Sequence, residues 1–133
     1  HPLRKDAIEE LERCASRGAV LAKWLAPLQH FDPSGPACKV FYKALARLEL
    51  PLLAHSGCEH TFPGMAQELG QPDRYTSALE EGVTVIFAHC ATACVLHRPH
   101  HRLEQLLALM DRYPNLHADV SALASPLNLH GRS

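Results

Sequence analysis

The sequence predicts a parallel α/β fold of four βα units, either part of a (β/α)8 TIM barrel or a doubly wound open sheet. Three observations carry this reading. Nearly continuous apolar runs of strand length alternate with amphipathic helical stripes, and the order along the chain is α-β-α-β-α-β-α-β. Strands that are apolar throughout need both faces covered, which crossover helices provide. A complete barrel takes about 250 residues, so a chain of 133 residues is too short to close one. No internal repeat beyond the βα unit, no low-complexity tract and no linker is evident, so residues 1–133 read as a single segment.

The elements follow in order. Leu3, Ala7, Ile8, Leu11 and Cys14 share one helical face opposite Glu9, Glu10, Glu12 and Arg13, and Gly18 stops that helix. Residues 19–25 then read as a buried strand closed by Pro27. A polar loop leads to a second helix with the stripe Val40, Phe41, Ala44, Leu45 and Leu48, and residues 50–55 form the second strand. Pro63, Gly64, Gly70 and Pro72 break the next connection, with a turn of helix over 65–69 and a short helix over 73–81 ahead of a Gly82 cap. Residues 83–89 give the clearest strand. A helix with Leu103, Leu106, Leu107 and Met110 precedes the fourth strand, residues 116–120.

Composition narrows the function classes. A hydrophobic fraction of 47% with 20% charged residues is that of a globular chain rather than a disordered one. A net charge of -1 offers no broad attraction to nucleic acid or to an anionic membrane surface. No apolar run approaches the roughly 20 residues of a membrane helix, and the first residues read as an amphipathic helix rather than a secretory signal. Five cysteines at irregular spacings cannot all pair within one chain, which fits a reducing, cytoplasmic setting. No Gly-x-Ser-x-Gly elbow, Gly-x-Gly-x-x-Gly turn or Walker-type loop follows any strand, which argues against a serine hydrolase and a nucleotide-binding sheet.

Chemistry in parallel α/β folds gathers at the C-terminal ends of strands. Here Lys23 stands late in the first strand, His55 and His89 end the second and third, and Asp119 lies near the end of the fourth. The two histidines share a context, Ala54-His55-Ser56 and Ala88-His89-Cys90. Neighbouring strands about 4.8 Å apart would let both aim a nitrogen at one ion about 2 Å away. A single strand-end histidine is more often a structural residue, and two in matching context leave both readings open. Lys23 has the parity of Leu21 and Leu25 within an apolar run, so burial would require a partner, a shifted pKa or carboxylation to a carbamate. Cys58, His60, Cys90 and Cys94 make only a weak case for structural zinc, and His97, His100 and His101 read as a solvated loop.

The segments Ala22-Lys23-Trp24-Leu25-Ala26-Pro27, Leu52-Leu53-Ala54-His55-Ser56-Gly57 and Ile86-Phe87-Ala88-His89-Cys90 resemble strands four, five and six of the amidohydrolase superfamily barrel. Asn115-Leu116-His117-Ala118-Asp119-Val120-Ser121 resembles strand seven of its branch of TIM-barrel metal hydrolases. The resemblance implies a central barrel segment without the first and last strands. It implies a divalent metal, zinc before manganese or iron, held by His55 and His89, with Lys23 as a carboxylated bridging ligand and Glu59 and His60 as contacts to a small-molecule substrate. The implied reaction is attack of metal-activated water on an amide, ester or lactone bond. A metal-dependent nonoxidative decarboxylase and a non-catalytic α/β binding module are the alternatives. The superfamily's strand-one His-x-His pair and strand-eight Asp have no counterpart here, which implies an inactive isolated segment. Exposed sheet edges lead to an expectation of self-association.

Overall fold

A computed structural model of the chain describes residues 1–57, 63–91 and 102–121. Strands β1 (Ala22–Trp24), β2 (Leu52–His55), β3 (Val85–Ala88) and β4 (Leu116–Ala118) form one sheet in the order β1-β2-β3-β4. All three pairings are parallel. Spatial order follows chain order without the reversal that marks a doubly wound sheet. Of the two predicted architectures, the structure therefore has the arrangement of a barrel segment, and it is not closed.

The described residues form five α-helices: α1 (Ala7–Ser16), α2 (Ala26–Gln29), α3 (Pro36–Arg47), α4 (Thr76–Glu80) and α5 (Leu103–Arg112), whose buried residues join those of one sheet face in the core. Helix α3 starts on Pro36, whose fixed φ and missing N–H suit a first helical position. Its buried stripe is Cys38, Phe41, Tyr42, Ala44 and Leu45, while Val40 is exposed. Phe41, Ala44 and Leu45 take their expected places, and Tyr42 joins them rather than Val40, hiding its ring and donating its hydroxyl to the Pro33 carbonyl at 2.8 Å. The single turn α2 stands between the first strand and the expected polar loop, with both Ala26 and Pro27 buried. Helix α1 begins at Ala7, leaving Leu3 exposed. The predicted helix over 73–81 divides into a 3-10 turn, Pro72–Tyr75, and α4. Gly82, at φ +82, closes α4 in the left-handed region that favours glycine.

The core lies between these helices and the sheet. Ala22, Leu52, Val85 and Leu116 form one row across the four strands, and Trp24, Ala54, Phe87 and Ala118 form the next. Trp24 packs edge-on against Phe31 and stands 5.2 Å from Phe41, centre to centre. Phe87 meets Tyr75 in a T-shaped contact at 5.3 Å. Burial pushes the Tyr42 and Tyr75 hydroxyls far above the ordinary tyrosine range, so both remain neutral. The alternate row, Lys23, Leu53, Ile86 and His117, lies on the other face, where Lys23 and His117 are exposed and Leu53 and Ile86 half-buried. Among the described residues, no helix is long and apolar enough to cross a membrane.

Candidate metal centre at the strand ends

The last residue of β2 is His55, and the residue after β3 is His89. Their rings stand 5.2 Å apart, centre to centre, with planes inclined by 61°. Two imidazoles bound to one ion at about 2.0–2.1 Å, at a tetrahedral angle, place their ring centres roughly 5 Å apart. The observed spacing is therefore compatible with a shared ion. Among the described residues, no group of three or more His, Cys, Asp or Glu side chains is arranged to hold a metal. The pair offers two of the three protein ligands that catalytic zinc normally uses.

Local structure explains how each ring reaches this place. His55 is buried, and Ser56 and Gly57 after it turn the chain under the 3-10 segment Gln67–Gly70. Gly57 donates its N–H to the Gly70 carbonyl at 3.0 Å. A Cβ on Gly70 would stand 2.6 Å from the Gly57 oxygen, so only glycine permits this approach. His89 depends on a rarer device. His89, Cys90 and Ala91 take φ values of 64°, 49° and 52°, three successive non-glycine residues in the left-handed region. This reverses the chain at the end of β3 and swings the His89 ring toward His55.

Asp119 and Ser121, just beyond β4, hold that turn. Asp119 Oδ1 accepts the His89 N–H at 3.0 Å and the Ser121 N–H at 2.9 Å. It also accepts the Ser121 hydroxyl. Cys90 Sγ donates to the Asp119 carbonyl at 3.0 Å. Burial alone would raise the Asp119 carboxyl, but the hydrogen bonds from Ser121 and His89 outweigh it and hold the group below the usual carboxylate range. Burial, with Asp119 nearby, pushes the Cys90 thiol up, so it stays a thiol and a donor.

Lys23 is placed differently from the expectation of burial. It shares the sheet face of His55, but its register partner is Leu53, one row lower, and the side chain is exposed. It lines a cavity of about 270 Å³ at the outer edge of β1, together with Arg4, Glu10 and Trp24. Parity with Leu21 and Leu25 pointed to burial only if that face were covered. Glu59 and His60 lie outside the described residues, as do Cys58, Cys94, His97, His100 and His101. Ser121 was missed as a working residue. Its signal was the Asp-x-Ser spacing, with which an Asp side chain bonds the backbone N–H two residues on.

A parallel sheet in chain order, with polar side chains gathered at the ends of neighbouring strands, defines the class of α/β proteins whose chemistry sits at that end. The chain belongs to the amidohydrolase family, whose model matches residues 2–129. Among solved structures it is similar to a proposed metal-dependent hydrolase from Lactobacillus casei, at 21% identity and a TM-score of 0.48. That likeness covers 94% of this chain and 37% of the other, so the chain spans little more than a third of that protein's length. A comparison with curated proteins gave no match.

Proposed function

We propose that the chain forms the central part of a metal-dependent hydrolase acting on a small molecule with an amide, ester or lactone bond. Family membership supports the class, and the 5.2 Å spacing of the His55 and His89 rings carries the site. A divalent ion held there, zinc before manganese or iron, would supply Lewis-acid polarisation and bring a water toward ionisation near neutral pH. His55 binds from a buried, sterically fixed strand end, and His89 from a turn held by β4. Lys23 enters this reading only as a carbamate or a neutral amine, because an ammonium has no lone pair to give a cation. Glu59 and His60 are proposed as substrate contacts in the loop after β2. Among the described residues, the free thiols of Cys14, Cys38 and Cys90 suit a cytoplasmic setting.

Calorimetric titration of the chain with zinc and with manganese tests the site. Weak binding is expected, and it should be lost in both His55→Ala and His89→Ala. Ester and lactone turnover is expected to be absent from this chain alone. It should appear in a longer chain that adds the strand-one histidine pair and the strand-eight aspartate. Alanine variants that bind the ion as tightly as the parent would remove the histidines from the site. The edge strands β1 and β4 further lead us to propose self-association. Sedimentation showing a clean monomer at high concentration would contradict it.

A further inference from the structure

The contacts between His89 and the end of β4 contain more than a backbone clamp. His89 Nδ1 lies 3.0 Å from the Ser121 carbonyl oxygen and 2.8 Å from Ser121 Oγ. A carbonyl only accepts, so a hydrogen bond between them requires the proton on Nδ1. Ser121 Oγ then accepts from the same N–H and sends its own proton to Asp119 Oδ1, its other close partner. Every donor in the chain His89 Nδ1–H, Ser121 O–H, Asp119 carboxylate meets an acceptor in this one arrangement. The reverse, with Ser121 donating to Nδ1, sets that nitrogen's lone pair against the Ser121 carbonyl and leaves the Asp119–Ser121 contact without a proton.

We propose that Ser121, anchored by Asp119, is a positioning residue that holds the neutral His89 ring in the Nδ1–H tautomer, the form whose Nε2 carries the lone pair. Two independent features of the same turn support this. Asp119 also binds the His89 backbone N–H, so ring and backbone are held by one carboxylate oxygen. The left-handed conformation at His89, Cys90 and Ala91 persists only where its surroundings over-determine it. Here those surroundings are Asp119 and the Cys90 thiol bond to its carbonyl. An imidazole that binds a metal through one nitrogen generally donates the other N–H to a carboxylate, carbonyl or water, which sets the tautomer and strengthens the ligand. The proposal rests on the reading of His89 as a working residue of the site, and its test separates the two.

The first readout needs no metal. Long-range ¹H–¹⁵N correlation spectra of the histidine-labelled, metal-free chain at neutral pH, with His89 assigned by its loss in His89→Ala, report which ring nitrogen is protonated. The parent should show a protonated Nδ1 and a bare Nε2. Ser121→Ala keeps the backbone carbonyl but loses the hydroxyl acceptor and its tie to Asp119, so it should lower the Nδ1–H share of His89; Asp119→Asn should lower it less, and Ser121→Thr should keep the parent pattern. The second readout is zinc affinity by calorimetry, expected to fall about 10–100-fold in Ser121→Ala and to recover in Ser121→Thr. A parent His89 already in the Nε2–H form overturns the proposal. So does a Ser121→Ala chain with parent-like amide spectra and an unchanged tautomer. The expected tautomers together with zinc binding indifferent to His89→Ala would uphold the positioning role of Ser121 and overturn only the ligand reading of His89.

Discussion

The two faces of the sheet are built from alternate residues of the same four strands, yet they are finished to different degrees. On the helix side, Leu52, Ala54, Val85 and Phe87 are fully buried, with Trp24 and Leu116 nearly so. On the opposite side, the row Lys23, Leu53, Ile86 and His117 has exposed ends and a half-buried middle. Both faces of β2 and β3 carry apolar side chains, as in strands meant to be covered twice. One face has its cover in the helices whose buried residues complete the core. The other is the face that a closed barrel would turn inward, where stacked side chains fill the interior. The helix side therefore carries the stability of this chain, and the open side is the one to which His55 belongs.

The largest expected effect tests that division directly. Phe87→Ala removes a fully buried ring from the helix side and should cost about 3–5 kcal/mol in urea denaturation, enough to unfold much of the population. Ile86→Ala, one residue earlier on the open face, should cost well under half as much, since its surroundings already leave it half-buried. Equal losses would show that the open face is covered after all. A smaller effect is expected for Gly70→Ala. Its Cβ would meet the Gly57 carbonyl oxygen, backbone against backbone, at 2.6 Å. The strain should cost about 1–3 kcal/mol and disturb the amide signals of Ser56 and Gly57, while Gly64→Ala, with open space around it, should leave those signals in place.

The smallest effect belongs to the ion pair between Arg74 and Asp32, 2.8 Å apart at the surface. Arg74 also donates to the Glu68 carbonyl at 2.7 Å, tying two loops together. Burial would raise the Asp32 carboxyl, but bonds from Ser34 and then Arg74 lower it below its ordinary value of 3.8. A depressed carboxyl stabilises the fold above the ordinary pKa, and that contribution fades as pH falls through the lower, folded value. Arg74→Ala should therefore cost at most about 1 kcal/mol at neutral pH. The gap between parent and variant should narrow below pH 3.8 and stay constant above pH 6 or so. A gap that instead widened in acid would give the pair no electrostatic share in stability.

Much of this was legible in the sequence because it is written in side-chain type. The apolar runs ending in Ala-His located β2 and β3, and two such runs joined by a helix predicted neighbouring parallel strands. What escaped is written in backbone conformation and in cover. Nothing in the run His89-Cys90-Ala91 signals a left-handed turn, because none of the three is glycine or asparagine. The exposure of Lys23 escaped because parity names a residue's face without saying what lies over it. Asn115 was legible as a motif residue, but its work is structural. Its side-chain amide donates to the Leu79 and Val83 carbonyls at 3.0 and 2.8 Å and pins the start of β4 to the turn before β3.

The left-handed turn has a practical consequence for anyone engineering this chain. Each L-residue in that conformation costs about 1–2 kcal/mol, a burden glycine largely escapes. A library ranked by melting temperature would therefore be drawn to glycine at Cys90, where the relief of backbone strain competes with one thiol contact and the packing of a half-buried side chain. The same change would widen the directions open to the neighbouring imidazole. Screening for heat resistance alone would thus select against the geometry at the strand ends, and a screen that includes ring orientation would have to reject some of its most robust members.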